Sequence, residues 1–415
     1  MNTQTVQEAS QSGAHASTSR HVDLRSTMPR AARLVIEMLE RLAGGIVAIE
    51  LPDGHQVRVG EGMHTANLIV RDWEVFERII GKGSIGFAEC WMEGLWETDH
   101  LAALLTLMAK NRSALERAIH GNALRLVAYR LWHWLRANSR RGSKKNIEAH
   151  YDLGNEFYGL WLDETMTYSS ARFTAPDMPL EEAQREKYRR ILQRLQPQPG
   201  QRILEVGCGW GGFAEVAATE FQCHVHGLTL SPSQLAWARQ RAERGGFADR
   251  ATFELRDYRD VNGQFDHIVS IEMIEAVGEE YWPTYFAKLH ECVAPNGRIV
   301  IQGITIAHYL FAHYRNDVDF IQRYIFPGGM LLSPHVLSEQ AQRAGLKLVG
   351  EEAFGLDYAR TLADWMARFN KVRDAVLAQG FDERFVRMWQ FYLAYCEAGF
   401  RAGSTDVHHF ELMRS

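Results

Sequence analysis

The feature that most constrains the fold is a glycine-rich turn between two apolar runs, within QRILEVGCGWGGFAEVAATEFQCHVHGLTLSPSQ, residues 201–234. The first run, 202–206, leads into glycines at 207, 209, 211 and 212. An alanine-rich amphipathic segment and a second apolar run, 225–230, follow. This order predicts strand, turn, helix and strand, the first unit of a parallel α/β sheet. Glycines allow positive φ angles and close approach of a ligand, and the helix N-terminus beyond offers unpaired N–H groups.

Two ligands compete for this turn, because Gly207, Gly209 and Gly212 also satisfy the G-x-G-x-x-G pattern of dinucleotide-binding folds. Such a fold needs an acid about 20 residues further on to bind the ribose, but no acid occurs over 221–242. Glu205, inside the first strand, suits a ligand with an ammonium group, such as the methionine end of S-adenosylmethionine. We therefore favour a methyl donor over a dinucleotide, and a dinucleotide-dependent oxidoreductase is the remote alternative.

A third predicted strand, in the stretch 253–258, ends in an acid and an aromatic residue, Asp257 and Tyr258. The carboxylate would accept a hydrogen bond from an adenine amine, and the phenol ring would stack on the base. Both residues follow a predicted strand that ends at the same edge of the sheet as the glycine turn. They are therefore the predicted adenine contacts.

Length and composition bound the class of protein. A chain of 415 residues predicts two domains, each with its own core. The net charge of −5 gives no indication of nucleic-acid binding. The five cysteines are scattered without metal-binding spacing, which favours a reduced, cytoplasmic protein without a metal site. No apolar run is long enough to span a bilayer, and the N-terminus lacks an apolar signal core. We expect a soluble protein that still touches membranes.

The chain divides into four predicted parts. Residues 1–25, rich in Ser, Gln, Thr and Ala, predict a disordered tail. Residues 26–120 predict a small mixed α/β accessory domain, with a helix over 30–42, a hairpin over 45–59 and helices at 75–80 and 101–108. It shows no catalytic pattern, so docking of a lipid or a partner is its expected role. The catalytic domain is predicted over 146–415.

Between these domains lies a basic segment, 121–145. It has seven Lys and Arg and no acid, with Leu and Trp residues at helical spacing. A basic amphipathic helix with Trp fits an anionic membrane surface, which predicts peripheral association with the inner face of the membrane. A linker helix that packs on a neighbouring domain is the equal alternative.

Within the catalytic domain, further strands are predicted at 252–255, 266–271, 298–304, 346–351 and 406–412. Two segments exceed what a minimal α/β methyltransferase needs: the aromatic stretch 306–332, and the stretch 357–399, which predicts two amphipathic helices. Insertions after the later strands lie over the carboxyl edge of such a sheet, where ligands bind. Their aromatic content predicts an apolar acceptor.

Several motifs together resemble one family, the cyclopropane fatty acid and mycolic acid cyclopropane synthases. They are HYDLGNEFY (150–158), LDETMTYS (162–169), LEVGCGWGG (204–212), GLTLSPSQ (227–234), RDYRD (256–260) and FPGG (326–329). Residues 83–97, GSIGFAECWMEGLWE, resemble the accessory domain of the bacterial branch that acts on phospholipids. The resemblance implies a seven-stranded, Rossmann-like class I methyltransferase fold with helical acceptor-binding insertions. It also implies an unsaturated phospholipid acyl chain as the acceptor. For the protein itself, a homodimer is one assembly that the sequence leaves open.

The resemblance also assigns the donor contacts. It implies that Tyr151, Tyr168 and Ser169 close over S-adenosylmethionine, that Gly207 and Gly209 line its methionine end, that Thr229 and Gln234 bind its ribose, and that Asp257 and Tyr258 bind its adenine. In the family reaction, the alkene attacks the sulfonium methyl, and a base removes a proton from the new methyl as a cyclopropane closes. Bound bicarbonate is thought to be that base, held by a Cys, a Glu, a His, an Ile backbone group and a Tyr.

This chain departs from that anion-binding pattern. The glutamate, tyrosine and isoleucine are present as Glu275, Tyr358 and Ile304, whereas Ser170 and Gln302 replace the cysteine and the histidine. The histidine after the glutamate is Ala276, and an extra acid, Glu272, appears. We expect Glu272 to be solvated or helix-capping, and His408 and His409 to be at the surface. Helix capping by Glu275 and plain strand packing by Gln302 are alternatives to roles in the site.

Two products therefore remain open. With the base in place, the cation closes to a cyclopropane, which is the predicted product. With the base displaced, the cation loses another proton and gives a methyl- or methylene-branched chain. Tyr168 and aromatic residues over 308–326 are expected to stabilise the cation. A third possibility is a lipid-binding protein without catalytic activity.

Overall fold

The computed structural model describes residues 28–115 and 153–415, which form two β-sheets with their helices. The predicted tail over 1–25, the basic helix over 121–145 and the predicted donor contact Tyr151 lie outside the described residues. Among the helices that are described, none combines the length and the apolar character needed to cross a bilayer.

The N-terminal part is a four-stranded sheet in the order β2-β1-β3-β4. Its strands are β1 Ala43–Glu50, β2 Gln56–Val59, β3 Glu61–Val70 and β4 Trp96–Glu97, and its helices are α1 Arg30–Leu39, α2 Glu74–Met92 and α3 Leu101–Lys110. The predicted hairpin is present, because β1 and β2 pair antiparallel with Val47 opposite Val59. Helix α2 extends beyond the predicted 75–80. It continues through Gly83, which bends it at a φ of 60°.

The catalytic part is built on a seven-stranded sheet in the order β10-β11-β9-β8-β5-β6-β7. Its strands are β5 Arg202–Val206, β6 His224–Thr229, β7 Ala251–Leu255, β8 Phe265–Ile271, β9 Val293–Ile306, β10 Leu346–Ala353 and β11 Thr405–Arg414. All seven occur where the sequence predicted them. Strand β11 pairs antiparallel with β9 and β10, and the other pairings are parallel. The predicted Rossmann-like fold is confirmed.

Helices cover both faces and one edge of this sheet. They are α4 Gly154–Trp161, α5 Leu180–Leu195, α6 Gly212–Glu220, α7 Pro232–Arg244, α8 Trp282–Cys292, α9 His308–Tyr314, α10 Phe320–Tyr324, α11 Pro334–Arg343, α12 Gly355–Lys371, α13 Arg373–Ala378 and α14 Glu383–Ala402. Two apolar cores lie on the two faces of the sheet. The predicted stretch 357–399 contains three helices, because the short α13 lies between the two long ones.

A third core joins the N-terminal part to α4, α12 and α14 of the catalytic part. Arg387 on α14 lies over the ring of Trp91, 4.1 Å from its centroid, and donates to the backbone oxygen of Trp96 at 3.0 Å. The indole of Trp91 donates in return to the backbone oxygen of Arg387 at 2.9 Å. The two sheets therefore share one continuous apolar core through α14.

Candidate active site

The glycine turn after β5 forms one wall of the site. Gly207, Gly209 and Gly211 have φ angles of +85°, +50° and +82°, where residues with a side chain are strained. A Cβ at Gly209 would meet no atom within 4 Å, so open space lies in front of it. A Cβ at Gly207 would lie 3.1 Å from Cγ of Met273. The turn thus offers its backbone to a ligand and borders the loop after β8.

Glu205 provides the predicted carboxylate beside this turn. Its side chain is buried, and its Oε2 has no hydrogen-bond partner. Burial raises the pKa of this carboxyl well above its ordinary value, and the charge of Lys187 opposes that shift. A buried acid without a partner is costly. A ligand ammonium group would satisfy it, so the residues at this position fit the methionine end of S-adenosylmethionine.

The predicted ribose and adenine contacts follow along the carboxyl edge of the sheet. Thr229 Oγ1 donates to Gln234 Oε1 at 2.8 Å, so the two predicted ribose residues lie together. Arg256 N donates to the Thr229 oxygen at 3.1 Å, which brings the end of β7 beside them. Asp257 binds Arg259 through both carboxylate oxygens, and these bonds hold its pKa below the ordinary value. The predicted methionine, ribose and adenine contacts therefore form a continuous row along the carboxyl edge of the sheet, from β5 to β7.

The segment 153–170 covers the turn. The indole of Trp210 donates to Asn155 at 2.7 Å, and Asn155 donates to the backbone oxygen of Ser233 at 3.1 Å. These bonds fix the start of α4 over the turn and the first residues of α7. Ser169, a predicted donor contact, is buried beneath this cover.

Lys187, on α5, is a residue of the site that the sequence analysis missed. It is fully buried, and its Nζ donates to Ser169 Oγ at 2.5 Å. Burial lowers its pKa to about 7, against the opposing charges of Glu272, Asp163 and Glu205. An amine that gains or loses its proton near neutral pH therefore lies directly behind Ser169, a predicted donor contact. Its place in the amphipathic pattern of α5 gave no signal of this role.

The carboxylate of Glu272 lies at the centre of a cluster of groups that are distant in sequence. Its Oε1 accepts from Ser170 N at 2.8 Å and from Gln302 Nε2 at 2.7 Å. Its Oε2 accepts from the Tyr358 hydroxyl at 2.6 Å. The expectation that Glu272 is solvated or helix-capping is wrong, because all three partners hold it inside the site.

His409 fixes the orientation of Gln302. Both side chains are fully buried, and His409 Nε2 lies 2.9 Å from Gln302 Oε1. An amide oxygen only accepts, so Nε2 carries the proton and the amide nitrogen is turned toward Glu272. Burial holds the pKa of His409 well below its ordinary value, which keeps the ring neutral. The expectation that His408 and His409 lie at the surface is wrong, since both are buried in β11.

Glu275 stands beside Glu272 in a different state. Its Oε1 accepts from Ile304 N at 2.5 Å, and its Oε2 is buried without a partner. Burial, together with the charge of Glu272, raises the pKa of Glu275 to about 8. Burial also raises the pKa of Glu272, but the hydrogen bonds from Tyr358, Ser170 and Gln302 and the charge of Lys187 oppose that shift. Glu275 accepts one such bond, from Ile304 N, so a proton shared by the two acids favours Glu275. The structure thus brings together all five predicted catalytic residues, Ser170, Glu275, Gln302, Ile304 and Tyr358, and adds Glu272 to them.

An aromatic wall faces this cluster. Tyr168 lies 5.2 Å from Tyr158, 5.8 Å from Trp161 and 5.3 Å from Trp365, measured between ring centroids, and its hydroxyl bonds that of Tyr392 at 2.6 Å. These rings come from α4, α12 and α14. The sequence analysis expected aromatic residues of 308–326 around the cation. In that stretch Phe326 packs on Tyr392 of this wall, 6.1 Å between ring centroids. Tyr309 is exposed, and Phe320 and Tyr324 pack toward α14 and the N-terminal part.

The fold and this site define an S-adenosylmethionine-dependent methyltransferase. The glycine turn, the partnerless Glu205 and the row of polar residues along β5 to β7 fit that donor, and the aromatic wall fits an apolar acceptor.

The chain belongs to the mycolic acid cyclopropane synthetase family, whose model matches residues 138–410. It is 42% identical over 368 residues to the tuberculostearic acid methyltransferase UfaA1 of Mycobacterium tuberculosis, covering 84% of this chain and 83% of that one. It is 34% identical over 373 residues to the cyclopropane-fatty-acyl-phospholipid synthase of Escherichia coli, covering 86% and 93%. The mycolic acid cyclopropane synthase CmaA1, solved with SAH and CTAB, shares 32% identity at a TM-score of 0.60, covering 65% of this chain and 97% of that one. The protein is therefore an S-adenosylmethionine-dependent enzyme that acts on unsaturated lipids, and the predicted preference for the methyl donor over a dinucleotide is confirmed.

Proposed function

We propose that the protein transfers a one-carbon unit from S-adenosylmethionine to the double bond of a phospholipid acyl chain and forms a methylene-branched chain. The observation that carries this proposal is the carboxylate of Glu272, fixed by three donors opposite an aromatic wall. The similarity to the tuberculostearic acid methyltransferase supports a branched product. The similarity to the Escherichia coli synthase supports a phospholipid acceptor.

The enzyme's own groups prepare both substrates. Glu205 binds the donor's ammonium group, while Ser169 and Lys187 face its carboxylate. Thr229 and Gln234 hold the ribose, and Asp257 and Tyr258 hold the adenine. The aromatic wall around Tyr168 positions the acyl chain and excludes water, which would otherwise capture a cationic intermediate.

A long-lived cation favours the branched product. When the alkene attacks the sulfonium methyl, a C–C bond forms, S-adenosylhomocysteine leaves and the neighbouring carbon becomes cationic. The negative charge of Glu272 and the rings of Tyr168 and Tyr358 stabilise that cation. A hydride then shifts from the methyl-bearing carbon, which becomes a more stable tertiary cation. Loss of a proton from the methyl group gives a methylene branch.

Cyclopropanation, the product that the sequence predicted, is the second candidate. It requires that the methyl proton leaves before the hydride shifts, so that the C–H electron pair closes the ring. The family match and the Escherichia coli synthase favour it. Both products add one CH2 to the acyl chain, so mass alone does not separate them.

The deciding experiment is proton NMR of the lipid formed from S-adenosylmethionine and oleoyl phospholipid vesicles. We expect signals of a terminal methylene on a disubstituted carbon. Upfield cyclopropane signals instead would show that the branched product is wrong. Free oleate assayed in parallel tests the phospholipid preference, which equal turnover of the two acceptors would contradict.

We further propose that the basic segment 121–145 binds the anionic inner face of the membrane. Binding to anionic vesicles is expected to weaken with salt and with charge reversal at Arg136, Arg140 and Arg141, relative to charge reversal at the exposed Arg343. Binding that ignores both salt and these arginines would show that the segment is only a linker.

A further inference from the structure

Glu272 is held in a backbone conformation that long side chains avoid. Its φ is +48°, in the left-handed region, and its own N–H donates to the backbone oxygen of Gln302 at 2.8 Å. Residues with a side chain are strained in such a conformation, and these outliers cluster at functional sites. The side chain points among groups from three other segments. The strained backbone of Glu272 therefore places its side chain at the centre of the site.

The partners of Glu272 favour its ionised form and oppose burial, which raises its pKa above the ordinary value. The Ser170 backbone and the Tyr358 hydroxyl donate to it, and Gln302, oriented by His409, also presents its N–H. The adjacent Glu275 accepts only one hydrogen bond, so a proton shared by the two acids favours Glu275. A carboxylate that accepts from three donors and stands beside a protonated acid is available as a proton acceptor.

The same partners show that a bound bicarbonate does not fit. Ser170 N, the Gln302 amide and the Tyr358 hydroxyl are the donors that would hold it, and the carboxylate of Glu272 binds all three. Ala276 has no polar side-chain atom to contribute. Met273, the residue after Glu272, packs at Gly207 in the donor turn, so the segment that carries Glu272 borders the donor site.

We propose that Glu272 itself is the base of the reaction, and that this enzyme needs no small anion. This rests on the proposed methyl transfer to an alkene. In the final step a C–H bond of the transferred methyl breaks, its electron pair forms the new C=C bond, and the proton binds a carboxylate oxygen of Glu272. The same acceptor would serve a cyclopropane closure, with the electron pair forming the ring bond instead.

The test is removal and chemical rescue of this carboxylate. The Glu272→Gly variant is suited to it, because glycine accepts a φ of +48° without strain, so the fold is retained. We expect its methyl transfer to fall about 100-fold or more, the typical contribution of a general base, while its affinity for S-adenosylhomocysteine changes less than about threefold. Formate or bicarbonate, added to fill the space, is expected to restore activity. The Glu272→Gln variant, which fills that space, is expected to lose activity without rescue.

The wild-type enzyme provides the complementary measurement. Its turnover in buffer stripped of CO2 is expected to equal that with added bicarbonate. The Glu280→Gln variant, altered at an exposed acid of the same loop, serves as the matched control and is expected to keep full activity.

Four outcomes would overturn the proposal: wild-type turnover that depends on bicarbonate, a Glu272→Gly variant that stays active without an anion, equal rescue of the glycine and glutamine variants, or a loss in the glycine variant that no anion restores. The last would make Glu272 a positioning residue. Failure of the proposed function is a different result, namely no transfer by the wild-type enzyme to any unsaturated lipid even with bicarbonate present.

Discussion

The donor side and the proton-accepting side of this site are built in opposite ways. The predicted donor contacts from Glu205 to Tyr258 come from one continuous stretch, in which each strand of a parallel sheet places its contacts at the same edge. The proton-accepting cluster joins Ser170, Glu272, Gln302 and Tyr358 from four separate segments. The first arrangement is set by local folding, whereas the second exists only once the whole catalytic part has packed. We therefore expect changes on the two sides to alter different steps.

The largest effect is expected on the donor side. Glu205→Gln removes the charge that faces the ammonium group, and a hydrogen bond to a charged group contributes about 1.5–3 kcal/mol, so donor affinity should fall about 10- to 100-fold. Isothermal titration with S-adenosylmethionine measures this loss.

Because burial raises the pKa of Glu205 in the free enzyme, donor binding should also release a proton. Buffers of different ionisation enthalpy reveal that proton, and its release should vanish in the variant. If Glu205→Gln binds S-adenosylmethionine as tightly as the wild type, Glu205 does not belong to the donor side of the site.

The next effect concerns Glu275 and the pH dependence of stability. Its pKa is about 8 in the folded protein and 4.5 ordinarily, so between these pH values the folded state keeps a proton that the unfolded state has lost. The free energy of unfolding therefore falls as pH rises through this window. The Glu275→Gln variant has no buried acid to ionise at this position. Its free energy of unfolding should therefore exceed that of the wild type by about 1–3 kcal/mol at pH 8 and equal it near pH 4.5. Denaturant unfolding at the two pH values measures the difference, and a constant gap would contradict the assignment.

A smaller effect on turnover is expected from Tyr358→Phe. It removes one donor from the Glu272 carboxylate and should lower kcat about tenfold while donor affinity stays unchanged. In a Glu272→Gly background the same change should have no further effect, because the two residues act through one contact. Additive losses in the double variant would show that Tyr358 acts on its own.

The smallest effect is expected where the N-terminal part meets the insertion after β9. The Tyr324 hydroxyl donates to Glu89 at 2.7 Å. Tyr324→Phe should lower the free energy of unfolding by about 0.5–1.5 kcal/mol and leave donor affinity and kcat intact. Phenylalanine at the exposed Tyr309 is the control and should change nothing. A loss of turnover in the Tyr324 variant would place the N-terminal part within the catalytic cycle.

The difference between the donor side and the proton-accepting cluster also explains which residues could be placed from the sequence. The placement of the predicted donor contacts followed from the sequence, because strand periodicity, glycine spacing and the missing ribose acid all lie within one short stretch. Every predicted residue of that stretch lies along the expected edge, and its role in binding the donor stays a prediction. The seven strands were predictable for the same reason. Ser170, Gln302 and Tyr358 were found through the family resemblance, since no local pattern marks them.

Glu272 and His409 were misjudged because their roles depend on packing between segments. A glutamate after a strand looks solvated unless its backbone angle and its three donors are known. A histidine near the end of the chain looks exposed unless β11 is known to lie between β9 and β10. Trp365 and Trp389 were part of a predicted amphipathic pattern, but the aromatic rings that they contact depend on how α12 and α14 pack.

The shared core through α14 has a practical consequence for anyone who divides this chain. Arg387 is bonded to Trp91 and Trp96 and lies on the same helix as Trp389 and Tyr392. A fragment that begins at 153 would leave the outer face of α14 bare, and a fragment that ends at 115 would lack the helix that completes its core. We therefore expect the two fragments to reassemble when they are mixed. An N-terminal part transferred to another catalytic part should fold and dock only if the residues of α14 that contact it are transferred as well.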